Sequence, residues 1–261
     1  MPRVDLNCDL GESFGAWRLG ADDEVLPHIT SANIACGFHA GDPGVMARTV
    51  AAAIARGVAL GAHPGLPDLA GFGRRAMDVS AAEAHDLVVY QVGALAAFAA
   101  AAGTRLQHVK PHGALYNMAA ARPELADAIA RAVRAVDAGL ALYVLAGSGM
   151  VAAAEAAGLR GVSEVFADRN YNADGTLVSR RRPDALVDDA DEAVRRAVGM
   201  VREGRVRAVD GTDVVLRADT ICIHGDGPHA AEFARRLRSA LEVEGISVVA
   251  PGRGDAAGSG A

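Results

Sequence analysis

Val4-Asp5-Leu6-Asn7-Cys8-Asp9 alternates apolar and polar side chains in a short stretch near the amino terminus. Because the side chains of a strand point alternately to its two faces, we expect Asp5, Asn7 and Asp9 to share one face. Glu12 follows closely, so up to three carboxylates crowd the end of this strand. Their repulsion would raise at least one carboxyl pKa or attract a cation, which indicates a functional site. A solvated edge strand is the alternative interpretation.

The rest of the chain repeats a short apolar run followed by an amphipathic segment. This alternation is typical of parallel strands linked by helices. An open doubly wound sheet would give the same alternation, but nearly every predicted strand ends in polar residues, which favours the mouth of a closed barrel. We therefore predict an α/β fold with a single β/α barrel domain over residues 1–250. The predicted strands span residues 4–9, 31–38, 59–63, 106–112, 141–146, 161–166, 220–225 and 246–250.

Capping residues and glycines mark the ends of four predicted helices. A hairpin is predicted over residues 206–218, around Asp210-Gly211. The small and polar residues 251–261 have nothing to pack against, so we expect a disordered tail. The predicted helices run from Asp42-Pro43 to Gly57, from Ser80 with its capping-box partner Glu83 to about Gly103, from Asp188 to Gly204, and from Pro228 to Gly245.

Composition narrows the class of partner. The 261 residues carry a formal net charge of -6 without charge blocks, so there is no basic surface for nucleic acid or anionic lipid. Three cysteines, none in a CxxC pair, and an amino terminus without an apolar leader favour the reduced cytoplasm. The apolar run 87–103 contains Gln91 and is shorter than the roughly 20 residues of a membrane span, so we expect a buried helix. Small molecules are the expected partners.

Histidines lie at the ends of several predicted strands, at positions 39, 63, 108 and 112. Alone, such a histidine is more often structural than catalytic, but a barrel brings the carboxyl ends of its strands together. Lys110 is the only lysine in the chain and shares a strand face with His108 and His112. An amine there can orient a substrate, stabilise an oxyanion or act as a base. A lysine that extends into solvent is the alternative.

Two later segments extend the ring of polar residues. The stretch 164–169 places Glu164, Phe166 and Asp168 on one face, and His224 and Asp226 follow another strand. Asp168 and Arg169 could equally form an exposed ion pair, and residues 172–175 resemble a turn. No phosphate loop of the Walker type occurs, so a conventional nucleotide site is not indicated.

Six motifs together resemble the LamB/YcsF family, in order and from about residue 3 to about residue 250. The resemblance implies a seven-stranded β/α barrel similar to the glycoside hydrolase/deacetylase group. It also implies one subunit of an ATP-dependent 5-oxoprolinase, which works with subunits B and C to open 5-oxo-L-proline to L-glutamate while ATP becomes ADP and phosphate. The motifs are Asp5-Leu-Asn-Cys-Asp-Leu-Gly-Glu12, Ser31-Ala-Asn-Ile-Ala-Cys-Gly-Phe-His-Ala-Gly-Asp42, Gly61-Ala-His-Pro64, Val109-Lys-Pro-His-Gly-Ala-Leu-Tyr-Asn117, Glu164-Val-Phe-Ala-Asp-Arg169 and His224-Gly-Asp-Gly227.

Hydrolysis of a lactam needs a base for water and donors for the oxyanion. The catalytic hypothesis assigns the base to Asp9 or Glu12, oxyanion stabilisation to Lys110 and His112, and the positioning of water or of a proton donor to His39 and His63. The candidate substrate-binding residues are Asp5, Asn7, Asn33, Glu164, Asp168, Arg169, His224 and Asp226.

Two alternatives remain open at the sequence level. One is a metal-dependent deacetylase, because the related barrels bind a divalent ion with one aspartate and two histidines, which Asp9, His39 and His63 could supply. The histidines lack a paired HxxxH spacing, however, and Lys110 would repel a cation. The other is a non-catalytic subunit that binds the substrate or holds partners together.

Overall fold

A computed structural model describes residues 1–187, 189–223 and 230–252. Within these ranges the strands are β1 (Arg3–Leu10), β2 (Ser31–Ala35), β3 (Ala59–His63), β4 (His108–Val109), β5 (Ala141–Leu145), β6 (Arg160–Phe166), β7 (Arg205–Arg207), β8 (Asp213–Val215), β9 (Thr220–Ile223) and β10 (Ser247–Val248). The helices are α1 (Asp22–Val25), α2 (Pro43–Ala55), α3 (Ala81–Ala101), α4 (Gly113–Ala121), α5 (Pro123–Val136), α6 (Gly149–Ala156), α7 (Ala190–Glu203) and α8 (Ala230–Val243).

Strands β1 to β6 and β9 form one parallel sheet that closes on itself. The order is β1-β2-β3-β4-β5-β6-β9, and β9 returns to pair with β1 through Asp5 and Thr220. The predicted seven-stranded β/α barrel is confirmed. Strand β10, predicted as one of the strands, instead pairs with the beginning of β1 outside this ring. The predicted hairpin is confirmed as the antiparallel pair β7 and β8.

Alternation along β1 separates two environments, as the sequence predicts. Leu6, Cys8 and Leu10 join the hydrophobic layer between the barrel and its helices. Asp5 and Asn7 point into the barrel, where they bond to side chains of neighbouring strands. The barrel interior near this end is therefore polar, and its close packing depends on Gly61, where an added Cβ would lie 2.0 Å from Nε2 of His108.

The helices with side-chain caps agree with prediction. Asp42 accepts from the Val45 N–H at the start of α2, and Ser80 forms its capping box with Glu83 at the start of α3. Helix α7 begins after Asp189 and ends at Gly204, which adopts a left-handed conformation with φ 64°. Asp188, Pro228 and residues 253–261 of the predicted tail lie outside the described residues. Tail disorder and the single-domain boundary stay predictions.

Helix α3 is long and apolar enough to cross a membrane by length and composition alone. One such helix is weak evidence, because a core helix passes the same test. Here Val88, Val92 and Leu95 are buried in the barrel's helical layer. Gln91 donates to the Gly65 carbonyl and accepts from the Gly65 N–H, both at 2.9 Å. The packing matches the buried helix expected for this segment.

Candidate active site

Lys110 lies at the centre of the polar cluster inside the barrel. Its Nζ is 2.9 Å from Asp9 Oδ1 and 2.9 Å from Glu164 Oε1. The amine also lies 3.2 Å from Asn7 Oδ1 and 3.1 Å from Cys222 Sγ. Three N–H bonds therefore serve four acceptors. A substrate oxygen that bonds to this amine must displace one of them, and the neutral acceptors bind the ammonium less strongly than the carboxylates do.

The charge on Lys110 is set by competition between burial and its partners. Burial alone would lower the pKa of the amine, but the nearby carboxylates of Asp9 and Glu164 hold that pKa well above its ordinary value. Burial raises the pKa of the Cys222 thiol well above its usual range, so the sulfur is a neutral acceptor. Lys110 is therefore a fixed ammonium at neutral pH. A role as a base is excluded by this geometry.

Residues on β1, β2 and β4 form a chain of hydrogen bonds that holds the Asp9 carboxylate in place. The Asn33 amide donates to Asp9 Oδ1 at 2.9 Å and to Asn7 Oδ1 at 2.7 Å. His108 Nε2 donates in turn to the Asn33 side-chain oxygen at 2.8 Å. Burial lowers the pKa of His108 to about 3, which keeps this imidazole neutral. These hydrogen bonds fix Oδ1 of Asp9, whereas Oδ2 points toward His63.

The second oxygen of Asp9 faces two histidines. Asp9 Oδ2 lies 3.2 Å from His63 Nε2, and that nitrogen is also 2.9 Å from His112 Nδ1. The far nitrogens are occupied, since His63 Nδ1 is 2.7 Å from the Lys110 carbonyl and His112 Nε2 is 2.8 Å from the Phe72 carbonyl. Carbonyl oxygens only accept, so both far nitrogens carry protons.

This tautomer assignment leaves a proton to place between the two rings. Burial lowers the pKa of His112 to about 3, so His112 is neutral and its single proton is on Nε2. Its Nδ1 is then an acceptor that faces His63 Nε2 at 2.9 Å. Two facing lone pairs would repel, so one proton lies between the two nitrogens and the pair of rings carries one positive charge beside Asp9.

His39 and Glu12 lie behind this pair. The His39 ring stacks on His112 with centroids 3.7 Å apart and planes at 3°. Glu12 Oε1 is 3.4 Å from His39 Nε2 and 3.7 Å from His112 Nδ1. Burial, together with the neighbouring histidines, lowers the pKa of His39 well below its ordinary value. His39 is therefore a neutral ring that packs against the reactive pair.

Four side chains could hold a metal ion here, and the set differs from the predicted one. Potential ligand atoms of Glu12, His39, His63 and His112 lie within 4.8 Å of one another. Asp9 is instead drawn to Lys110 at 2.9 Å. A metal bonds to imidazole nitrogen in the plane of the ring, and parallel rings such as those of His39 and His112 cannot both meet one ion. A bound ion would also have to replace the proton between His63 and His112.

A pocket of about 500 Å³ opens onto this cluster. Asp9, His63, Lys110 and His112 line its inner end. Helix α4 forms one wall through Tyr116, whose hydroxyl donates to Glu164 Oε2 at 2.7 Å. The outer part is lined by Arg74, Arg169, Thr176, Leu177, Val178, Ser179, Arg180 and Arg181.

The predicted site residues therefore fall into groups. Of the catalytic candidates, Asp9, His63, Lys110 and His112 line the pocket, whereas Glu12 and His39 are not among its described lining residues. Of the substrate-binding candidates that the structure describes, only Arg169 lines it. Asp5, Asn7, Asn33 and Glu164 are buried beneath it, and Asp168 follows β6 without being among the described lining residues. His224 and Asp226 lie outside the described residues. Asp5, one of the substrate-binding candidates, accepts from Ser31 at 2.7 Å and from Thr220 at 2.6 Å, so it supports the barrel interior rather than the pocket.

Several pocket residues were not predicted from the sequence. Tyr116 was missed because the start of α4 has no side-chain cap to mark it. Arg74, Arg180 and Arg181 were missed because they belong to loops whose course depends on tertiary packing.

Several known proteins are similar in sequence to this chain over nearly its whole length. The model of the LamB/YcsF family matches residues 4–255. The chain belongs to the LamB/YcsF family. It is 64% identical over 249 residues to the 5-oxoprolinase A subunit of Bordetella pertussis, covering 95% of this chain and 99% of the relative. It is 60% identical over 250 residues to the 5-oxoprolinase A subunit of Bacillus subtilis strain 168, covering 96% and 97%.

A solved structure of similar sequence has the same fold. The lactam utilization protein from Thermus thermophilus is 53% identical to this chain and superposes with a TM-score of 0.89. The match covers 95% of this chain and 99% of that structure. The barrel therefore belongs to a family whose members include proteins named for 5-oxoprolinase and for lactam utilization.

Proposed function

We propose that this chain is the A subunit of an ATP-dependent 5-oxoprolinase, which opens the lactam ring of 5-oxo-L-proline to give L-glutamate. The observation that carries the proposal is the buried Lys110 ammonium between Asp9 and Glu164, facing a pocket of about 500 Å³. A carboxylate, an imidazolium and an ammonium converge there, as amide hydrolysis requires. The names of relatives up to 64% identical over nearly the whole chain support the same substrate.

Asp9 is the base that the pocket favours. It lines the pocket, whereas Glu12 is not among the described lining residues and lies against His39 and His112. Asp9 Oδ2 takes a proton from water as the water oxygen forms a bond to the lactam carbonyl carbon. The carbonyl electrons move onto the oxygen, and Lys110 stabilises that charge at short range in a site of low dielectric.

His63 supplies the proton that the leaving nitrogen needs. When the tetrahedral intermediate collapses, the carbon–nitrogen bond breaks and the nitrogen takes the proton from the His63 imidazolium. Asp9 then returns its proton to His63 across the 3.2 Å between Asp9 Oδ2 and His63 Nε2. One proton is taken and one is given, so the site returns to its starting state. His112 positions His63 through the 2.9 Å contact between their nitrogens.

ATP and further subunits complete the proposal. An unstrained five-membered lactam is poorly activated towards water, so coupling to ATP makes chemical sense. We assign ATP use to the assembly with subunits B and C, which deliver the activated lactam to this barrel. If the lactam oxygen is phosphorylated, addition of water and cleavage of the carbon–nitrogen bond give an acyl phosphate, and a second water hydrolyses it to glutamate and phosphate. The absence of a Walker-type phosphate loop from the sequence is consistent with ATP chemistry on a partner. A cytoplasmic location is part of the same proposal.

The test is glutamate release from 5-oxoproline by subunits B and C, with and without this chain and with and without ATP. The proposal expects release only when this chain and ATP are both present. A matched pair of variants, Asp9→Asn and Asp86→Asn, separates the site from the scaffold, since Asp86 is an exposed residue of α3 that pairs with His85. Assembly of all three subunits without ATP-dependent glutamate formation would overturn the proposal and leave a binding role for this chain.

Metal-dependent deacetylation is the second candidate, and the group Glu12, His39, His63 and His112 is the observation that favours it. The stacked rings of His39 and His112 and the ammonium of Lys110 count against it. The candidate predicts release of acetate from N-acetylated substrates by the isolated chain after addition of Zn²⁺, Co²⁺ or Mn²⁺. Lack of acetate release with every ion would exclude it.

A further inference from the structure

We propose that the outer half of the pocket is a subsite for a phosphoryl group, formed by Arg74, Arg169, Arg180 and Arg181. Its biological role rests on the proposed function, but its capacity to bind an anion does not. Among the described lysines, arginines, aspartates and glutamates that line the pocket are these four arginines, Lys110 and Asp9. The cations outnumber the carboxylates five to one.

This excess of positive charge is local. The whole chain has 32 acidic residues against 26 lysines and arginines, for a formal net charge of -6. The inner end carries no excess of positive charge, because Lys110 is paired with two carboxylates, those of Asp9 and Glu164. The excess positive charge of the lining therefore comes from the guanidinium groups near the mouth. A pocket wall of one sign focuses its field and attracts an anion of the opposite sign.

Arg169 is the residue that most clearly requires a partner. Its side chain is buried, with the residue only 6% exposed, yet it forms no ion pair with any carboxylate in the part of the chain that the structure describes. Two of its nitrogens donate to main-chain oxygens, Nη2 to Val178 at 2.6 Å and Nε to Ala185 at 3.4 Å. These bonds hold the guanidinium plane but do not neutralise its charge.

Burial and the neighbouring Arg180 lower the pKa of Arg169 to about 10, and the group is still charged at neutral pH. The Asp168 carboxylate offsets part of this charge through space, but the guanidinium itself is bonded only to main-chain oxygens, and burial of such a charge is costly. An anion in the pocket would offset that cost. Guanidinium groups match phosphoryl oxygens in charge and in geometry, so a phosphoryl group is the chemistry that this wall fits.

Size and helix direction agree with an anion larger than the lactam. A pocket of about 500 Å³ is in the range that holds drug-sized ligands, so a five-membered ring fills only part of it. The amino terminus of α4, with Gly113 and Ala114, also lines the pocket. The partial positive charge of a helix amino terminus adds to that of the arginines.

A phosphoryl group could reach this subsite on ATP or on a phosphorylated lactam. The two sources share the chemistry of the anion but differ in what binds beside it. A phosphorylated lactam places its ring at Lys110 and its phosphoryl group at the arginines, whereas ATP would place its nucleoside in the pocket as well. Binding measurements on the isolated full-length chain distinguish these sources.

The experiment is calorimetric titration of the chain at low ionic strength with inorganic phosphate, pyrophosphate and ATP, each with and without 5-oxoproline. We expect saturable binding of phosphate or pyrophosphate, weakened at least about tenfold in an Arg180→Gln, Arg181→Gln double variant, since one lost charged contact contributes about 1.5–3 kcal/mol. Phosphate binding that strengthens when 5-oxoproline is present indicates the phosphorylated lactam. Binding of ATP at least tenfold tighter than pyrophosphate indicates the nucleotide.

Matched variants keep the test decisive. Arg169→Gln should weaken phosphate binding further, and Arg160→Gln, at the exposed start of β6 on the opposite end of the barrel, should leave it unchanged. If Arg169→Gln does not fold, the exposed double variant still decides. No saturable binding of any of the three anions, or equal binding by wild type and double variant, overturns the subsite. Because no partner subunit is present, that result would leave the proposed hydrolase function standing.

Discussion

Replacing Lys110 with methionine removes the cation between Asp9 and Glu164 while keeping a side chain of similar length. Two charge-assisted bonds of 2.9 Å are lost. Asp9 keeps Asn33 and His63 as neighbours, but Glu164, which is 0% exposed, keeps only the Tyr116 hydroxyl as a side-chain donor among the described residues. Removing one partner of a buried ion pair costs about 3–5 kcal/mol, so we expect a loss of that size in the free energy of unfolding.

Activity should fall further than stability explains. Loss of one preorganised donor to an oxyanion lowers kcat by about 10²–10³, which corresponds to about 2.7–4 kcal/mol. Urea unfolding followed by circular dichroism measures the first effect, and ATP-dependent glutamate release in the three-subunit mixture measures the second.

The second substitution Glu164→Gln separates the structural effect from the catalytic one. In the Lys110→Met background it removes the unpaired carboxylate, so the double variant should be more stable than Lys110→Met by about 2 kcal/mol, within the usual range of coupling between contacting residues. Its activity should stay low, since the ammonium is still missing. A Lys110→Met protein that loses under about 1 kcal/mol of stability, a cost typical of exposed pairs, and keeps full activity would refute the charge arrangement described here.

Three further predictions concern the barrel interior. Gly61→Ala should lower the free energy of unfolding by about 1–3 kcal/mol or more, because the new Cβ would lie 2.0 Å from the His108 ring; an unchanged urea midpoint would contradict this. Tyr116→Phe removes the donor to Glu164 and should cost about 1–3 kcal/mol by the same assay. Since burial lowers the pKa of His108 to about 3, below its unfolded value, stability should fall as pH drops from about 6.5 towards 3, by up to about 1.4 kcal/mol per pH unit. His108→Gln keeps a donor for Asn33 and should flatten that slope; an equal slope in both proteins would show that His108 does not titrate as described.

The parts of the fold that could be predicted are those marked by local chemistry. Helices α2 and α3 begin at Asp42 and Ser80, whose side chains bond to the first turn. Helices α4 and α6 have no side-chain cap and were not predicted, because alanine-rich segments without caps give little sign of where a helix starts. Helix α5 was missed although Pro123 at its first position and Glu124 in its first turn mark its start. Local sequence thus located the helices that have side-chain caps. Where α4 and α6 begin depends on tertiary packing.

The segment predicted as a strand over residues 106–112 shows how far a strand pattern extends into a site. Only His108–Val109 is regular strand, yet the N–H groups of Lys110 and His112 still donate to β3 and the residue after it, at 2.9 Å to Ala62 and 2.8 Å to Pro64. Pro111 has no N–H and interrupts the ladder between them. The alternation is kept, so Lys110 and His112 reach the same end of the barrel, as predicted.

The site beyond the strands could not be predicted, because its residues come from loops. Arg74 and the segment Thr176–Arg181 are far apart in sequence and meet only at the pocket mouth. Loop residues follow no periodic pattern in the sequence, so only the folded chain shows that the charges of these arginines lie in one pocket wall. The metal ligands considered from the sequence, Asp9, His39 and His63, were likewise chosen because they lie at strand ends. In the structure Asp9 is instead paired with Lys110, and His112 lies beside His63.

The inner and outer ends of the pocket differ in charge. At the inner end the ammonium of Lys110 and the positive charge shared by His63 and His112 face the carboxylates of Asp9 and Glu164, so that end can move one proton without changing its net charge. Such a balanced site attracts no anion by itself. The arginines of the outer lining supply the attraction, whereas Asp9 is bonded directly to Lys110 and Asn33. Anion capture and proton transfer are therefore assigned to different residues, and a substitution in one set should leave the other function measurable.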